Sequence, residues 1–238
     1  RDYLLIPTLA IDIETKSENP DVEKAALRFN TNSITSIAFA KNEHEGIAIY
    51  FDNGSKVKEI LKHWFLQRAE ICKSNTSFKN VYHNCLYDVK QLIFHLFMNN
   101  PADIPNLLYG IKVMTTNIDD TLLMTYLCTN NTQENNLGLK ENTLSFTGQY
   151  AVDVKDISLL PVSVLLEYNL KDVLATYWLW KKRKKELVTE NQEEVYNQVF
   201  LPSIPVLLEM MLVGLPLNKY KVHEAKVLLS SEINKVND

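Results

Sequence analysis

Asp12 and Glu14 stand two positions apart in the stretch TLAIDIETKSENP (8–20). On a strand, residues two apart project from the same face, so the pair sets two like charges side by side. Repulsion and desolvation make this costly unless the strand end is solvated or a cation lies against it. Two further segments supply acids at helical spacing. HNCLYD carries Asn84 and Asp88 four apart, and EYNLKD carries Tyr168 and Asp172 four apart; such pairs share one helix face. Four carboxylates and a phenol, with no paired His or Cys ligands, make an all-oxygen donor set that suits Mg²⁺ or Mn²⁺. Two such divalent cations about 3.5–4 Å apart can clamp the attacking and leaving oxygens of an in-line phosphoryl displacement. Tyr168, as a neutral phenol, is suited to orient the attacking water.

Each piece alone has an ordinary reading. Asp88 could cap or solvate a helix start, Tyr168 and Asp172 could form a half-exposed helix face, and Asn84 could satisfy backbone groups at a strand end. His83 has no second His at ligand spacing and reads as a structural neighbour. Asp119 and Asp120 read as cap and fold residues. The joint occurrence of the three acidic segments, in order, is what points to chemistry.

Placing these groups requires a strand for the first pair and helices for the others. TLAIDIE (8–14) reads as a buried strand. ITSIAFA (34–40) and GIAIYFD (46–52) follow across the polar turn KNEHE, as in an antiparallel meander. Residues 55–70 have a helical apolar period through Val57, Ile60, Leu61, Trp64 and Phe65. NVYHN (80–84) is a short strand, CLYDVKQLIFHLF (85–97) a helix, and KVMTTNI (112–118) a fifth strand. Asp119 and Asp120 open the helix TLLMTYL, residues 129–136 form a polar loop, and Pro161 starts a long helix over 162–187. This order predicts an α/β fold, a mixed sheet flanked by helices, compatible with a ribonuclease H-like arrangement.

The 238 residues suit one large domain, or one domain with the beginning of another. Composition shifts near 181–190, which predicts a unit over 1–188 and a second, truncated one over 189–238. The run KKRKK (181–185) reads as the cationic end of the long helix. Trp178, Leu179 and Trp180 read as core or interface surface. Three cysteines without a CxxC pair fit a reducing compartment and argue against structural zinc or a disulfide framework. The net charge of −4 gives no sign of nucleic acid by itself, yet an acidic site can hold a polyanion through metal ions. No apolar stretch reads as long enough to span a bilayer, and no secretory signal is visible. The expected setting is the cytoplasm of a bacterial cell or phage-infected host, with an organelle left open. The chain lacks an initiating Met and is expected to be a fragment.

DIE, HNxxYD and YxxxD, in this order, resemble the three motifs of the DEDDy family of 3′→5′ exonucleases, and most closely the proofreading domain of family A DNA polymerases. The resemblance implies that Asp12, Glu14 and Asp172 hold the catalytic ion. It implies that Asp12 bridges to a second ion, which Asp88 reaches through water, while Tyr168 positions the nucleophilic water. Thr15, Asn84 and Tyr87 match positions near the terminal nucleotide and are carried over as substrate contacts. The segment LPSIPVLLEMMLVGLPLN (201–218) resembles the passage from exonuclease into polymerase domain, with Gly214 ending one helix and Asn218 starting the next. The implied partners are a single-stranded DNA 3′ end and the polymerase domain of the parent chain. A free-standing RNase D-like exoribonuclease has the same three motifs, and a silent nucleic-acid-binding module is the other alternative. The stretch KSENP lacks the bulky apolar group that many members place after the first motif, and Phe146 and Tyr150 are the candidates for base stacking.

Overall fold

Strand β1 (Thr8–Ser17) divides the molecule into layers by its alternation. Leu9, Ile11 and Ile13 enter the larger apolar core, and Ala10 enters a second core on the opposite face. Asp12 and Glu14 share the parity of Ala10, so they look toward the second face. The computed structural model describes residues 2–17, 29–51, 54–129, 136–148, 160–215 and 217–237.

Five strands form one sheet in the order β3-β2-β1-β4-β5, with β1 central. β2 (Asn32–Ala40) and β3 (Gly46–Tyr50) continue antiparallel from β1, while β4 (Lys79–Tyr82) and β5 (Ile118–Asp120) run parallel to it. The β1–β2 register slips between Glu14 and Thr15. Thr35, the residue left over by the slip, donates its hydroxyl to the Glu14 carbonyl at 3.0 Å. Irregularities of this kind re-aim side chains next to sites. α1 (Ser55–Ser74), α2 (Cys85–Leu96) and α3 (Ile104–Met114) pack their apolar faces into the larger core. α4 (Thr121–Cys128) and α6 (Val162–Thr189) cover the other face, and α5 (Leu139–Thr147) packs on α6.

Two buried polar clamps hold this scaffold. The Arg68 side chain donates to the backbone carbonyls of Leu4, Ile6, Pro7 and Lys79 and to Asn80 Oδ1, tying the start of β1 to β4. At the end of β5, Asp119 Oδ2 accepts from Lys79 Nζ at 2.7 Å and Trp180 Nε1 at 2.8 Å. Tyr196 accepts the Asp120 N–H at 2.8 Å and donates to Asp119 Oδ1 at 3.3 Å. The Asp120 carboxylate accepts the N–H groups of Leu122 and Leu123 at the start of α4, and those of Asn84 and Cys85 at the start of α2. One carboxylate thus caps two helix N-termini. The cap-and-fold reading of Asp119 and Asp120 agrees with these contacts.

Several expectations are corrected. The fifth strand is Ile118–Asp120, because residues 112–114 finish α3, a helix the sequence reading did not find. α6 runs on to Thr189, so KKRKK lies before the last turn, which has no basic residue. Arg183 in that run is buried against Thr125, Asn142 and Glu186. Residues past 188 also pack against the core. α7 (Glu193–Val195) leads through a π turn, Tyr196–Phe200, into α8 (Leu201–Val213). Ile204, Leu208 and Leu212 of α8 belong to the larger core, so the packed unit extends through Val213. The helical run Glu193–Val213 is also long and apolar enough to cross a membrane by length and composition, which the sequence reading did not expect. Its core contacts give one face of that apolarity a partner within the fold.

If α8 shares the core, Leu208→Ala should destabilise the chain by about 2–5 kcal/mol, the usual cost of emptying a fully buried Leu site. Urea unfolding should remain one transition with a lower midpoint; an unchanged midpoint would place α8 outside the cooperative unit.

Candidate metal centre

β1 brings Asp12 and Glu14 to the sheet face that α6 covers, and α6 brings Asp172. Oxygens of these three carboxylates lie within 4.8 Å of one another. Asp88, near the start of α2, is not in that trio but stands close behind it. Its Oδ1 accepts the Ile13 N–H at 3.2 Å, which anchors it to the strand between the first two acids. Tyr168 is one helical turn before Asp172, and its hydroxyl is hydrogen-bonded by the Lys140 ammonium, which also lies over the phenol ring 4.5 Å from its centroid.

The remaining expected residues sit around these groups. Thr15 and Tyr87 share a hydroxyl–hydroxyl hydrogen bond. Asn84 adopts φ +62°, a left-handed conformation that Asn tolerates better than most residues, and it turns the chain from β4 into α2. It lines a cleft of about 410 Å³ together with Asp12, Asp172, His83, Lys140 and Glu141. His83 Nδ1 pairs with Thr121 Oγ1 at 2.8 Å, and burial lowers its pKa, consistent with a structural neighbour. Phe146 is stacked on Trp178 at 5.2 Å, so one of its ring faces already has a partner within the molecule. Tyr150 and most of KSENP lie outside the described residues.

The sequence reading missed two groups in contact with the expected ones. Lys140 sits in the first turn of α5, beyond a polar loop whose spacing gave no helical register. Asn169 is fully buried on α6 and donates Nδ2 to Asp12 Oδ2 at 2.7 Å. Its place inside EYNLKD, on the turn that carries Tyr168 and Asp172, was the available signal.

The electrostatics show what such convergence costs. Burial pushes the Asp12 carboxyl well above the usual carboxylate range, and Asp88, Glu14 and Asp172 push it further against the opposing pull of Lys140. Burial and then Asp172 raise Glu14 to about 8, again opposed by Lys140. Asp88 is raised well above the usual range by burial, which outweighs the Ile13 N–H. Tyr168 is raised by burial and then Asp172, and stays a neutral phenol. Acids that cannot all ionise together, offering only oxygen, fit a hard divalent cation that would supply the missing positive charge. Asp12, Glu14 and Asp172 would hold it.

No family model and no curated protein matches the chain. Solved structures do. NrnC of Brucella melitensis with bound Mg²⁺ matches with a TM-score of 0.59 and 18% identity, over 90% of this chain and 89% of that one. The same protein bound to pGG gives 0.58 and 19%, over 90% and 88%. The catalytic core of RRP6 from Trypanosoma brucei, mutant C496S, gives 0.50 and 12%, over 90% of this chain and 48% of that one. At these identities the likeness is one of fold: a mixed sheet flanked by helices.

In the unfolded chain Glu14 ionises near 4.5, and in the folded, metal-free chain near 8. Between those values the folded state holds the extra proton, so stability falls as pH rises and this contribution is gone above about pH 8. Asp172→Asn should therefore raise the melting temperature of metal-stripped protein, and by more at about pH 8.5 than at about pH 5. For a chain of this size each kcal/mol of relieved repulsion is worth about 2–4 °C. A gain that does not grow with pH would contradict the crowding of ionised acids.

Proposed function

We propose that the chain is a metal-dependent 3′→5′ exonuclease that hydrolyses the terminal phosphodiester of a single-stranded nucleic acid. The convergence of Asp12, Glu14 and Asp172, with the Tyr168 phenol one turn away, carries this reading. Bound divalent cations would activate water and stabilise the departing 3′ oxygen. Asp12, Glu14 and Asp172 would hold the cation, and Asp88 backs them from the start of α2. Tyr168 holds and orients the attacking water through its hydroxyl oxygen, which Lys140 fixes in place. The water gives up a proton as its oxygen bonds to phosphorus, the bond from phosphorus to the 3′ oxygen breaks, that oxygen takes up a proton from solvent, and a 5′-mononucleotide leaves. Thr15, Asn84 and Tyr87 surround the position of the last nucleotide. Fraying supplies an unpaired end to such a site, and a cleft that accepts only unpaired strands acts on ends.

For the substrate, a free-standing RNase D-like nuclease is the better supported reading. The match to NrnC runs through nearly the whole of both chains, and that protein has been solved with Mg²⁺ and with pGG. A specific observation favours the proofreading domain of a family A polymerase as the second reading. α8 ends at Gly214 with φ +70°, and Asn218 Oδ1 accepts the Tyr220 and Lys221 N–H groups to start α9 (Lys219–Asn237). α9 leaves Tyr220, Val227, Leu228, Leu229 and Ile233 exposed, as a helix that continues into another domain would.

The test is digestion of 5′-labelled single-stranded DNA and matching RNA in Mg²⁺ or Mn²⁺. Both a ladder shortening from the 3′ end and its loss in Asp12→Ala and in EDTA are expected. Preference for RNA supports the RNase D-like reading and preference for DNA the proofreading one; no shortening of either strand would overturn the nuclease assignment. In the same assay Lys140→Met should slow turnover about 10- to 100-fold, the usual loss when a group that orients a site residue is removed. Unchanged turnover would exclude Lys140 from holding Tyr168.

A further inference from the structure

Among the buried residues of α6, Asn169, Asp172, Val173 and Thr176 follow one another on one helical face. Val173 is ordinary core. Asn169 is not, because a fully buried amide needs a reason to be there. Its Nδ2 donates to Asp12 Oδ2 at 2.7 Å, while its own Oδ1 is buried without a hydrogen-bond partner among the described residues. The amide therefore has one use for its polar end, and that use is Asp12. The reverse orientation would set the amide oxygen against a carboxylate oxygen, so the contact fixes which way the amide faces. The cost of the orphaned oxygen persists only because the donor end is held.

Two geometric consequences follow. With Asp12 Oδ2 accepting from the amide, the carboxylate cannot rotate freely, and one of its lone-pair sites is taken. The bond also spans 157 positions of sequence and joins the strand that carries Asp12 and Glu14 to the helix that carries Asp172. Asn169 is three residues before Asp172 on the same helical face. The separation of ligands from the two elements is thus set through one amide.

We propose that Asn169 is a positioning residue: it orients Asp12 and fixes the spacing between Asp12 and Asp172 for a divalent cation. This rests on the metal-dependent reading above. It assigns to Asn169 no contact with the substrate. Groups that hydrogen-bond a ligating carboxylate typically change metal affinity about 10- to 100-fold when removed.

The probe is Mn²⁺ alone, followed by electron paramagnetic resonance of the free ion. Wild type, Asp12→Ala, Asn169→Leu and Asn169→Ala are compared, with melting of each metal-free protein as the check on folding. Leu keeps the side-chain volume and Ala removes any clash; both suit a helix interior. The expected result is saturable Mn²⁺ binding by wild type, none by Asp12→Ala, and dissociation constants raised about 10- to 100-fold in a folded Asn169 variant. In digestion assays, high Mn²⁺ should then restore most of kcat, with the oligonucleotide KM unchanged. Wild-type affinity in either folded Asn169 variant overturns the positioning role while leaving the nuclease reading intact. Loss of thermal stability with unchanged Mn²⁺ affinity shows a purely structural tie and also overturns it. No Mn²⁺ binding by wild type removes the metal-dependent reading and this role with it.

Discussion

The structure turns on electrostatic frustration. Asp12, Glu14 and Asp172 bring oxygens within 4.8 Å of one another, and the buried Asp88 adds a fourth acid behind them. A folding chain gains nothing from this in isolation: burial and mutual repulsion both oppose the ionised forms. The arrangement has value only when something positive enters. Lys140 opposes the rise at both Asp12 and Glu14, so the cleft holds a cationic side chain of its own. A divalent cation among the same oxygens would replace repulsion by attraction, which couples ligand binding to the stability of the site.

Most of the surrounding architecture can be read as the means of enforcing that crowding. β1 is the central strand: Thr8–Ala10 pair with β4, and the stretch that carries Asp12 and Glu14 is held to β2. The core on one side of β1 fixes the parity that turns Asp12 and Glu14 to the other. The Asp120 carboxylate joins the starts of α2 and α4, and the N–H of Ile13 holds Asp88. Tyr196, beyond the end of α6, locks the Asp119–Asp120 pair from below. This is why residues past 188 are part of the scaffold, although composition changes before them.

The site was more legible in the sequence than the scaffold. Asp12 and Glu14 announce themselves because two acids on one face of an apolar strand need an explanation, and Asp172 and Tyr168 share a turn by helical arithmetic. The meander, the long helix and the Asn218 helix start follow from local patterns. Lys140 was hidden because α5 follows a polar loop and has only one fully buried side chain, that of Thr143, so no apolar period marks it. α3 was missed where its last turn carries Val113 and Met114 into a stretch that resembles a strand. Asn169 and the Tyr196 contacts join elements 157 and 76 positions apart, and no local pattern encodes a pairing of that range. The place of α8 was likewise unreadable, since an apolar helix looks the same whether its partner is this core or another domain.

The most direct test of the carboxylate trap is the proton balance of metal binding. Mn²⁺ would be titrated calorimetrically into the metal-free chain at about pH 7, in two buffers with different ionisation enthalpies. Acids whose pKa values are raised by burial and then by crowding must shed protons when a cation binds. The expected result is saturable binding with a buffer-dependent heat that reports proton release, abolished by Asp12→Ala. Binding whose heat is the same in both buffers, or no binding at all, would contradict the claim that these acids are crowded together to hold a divalent cation.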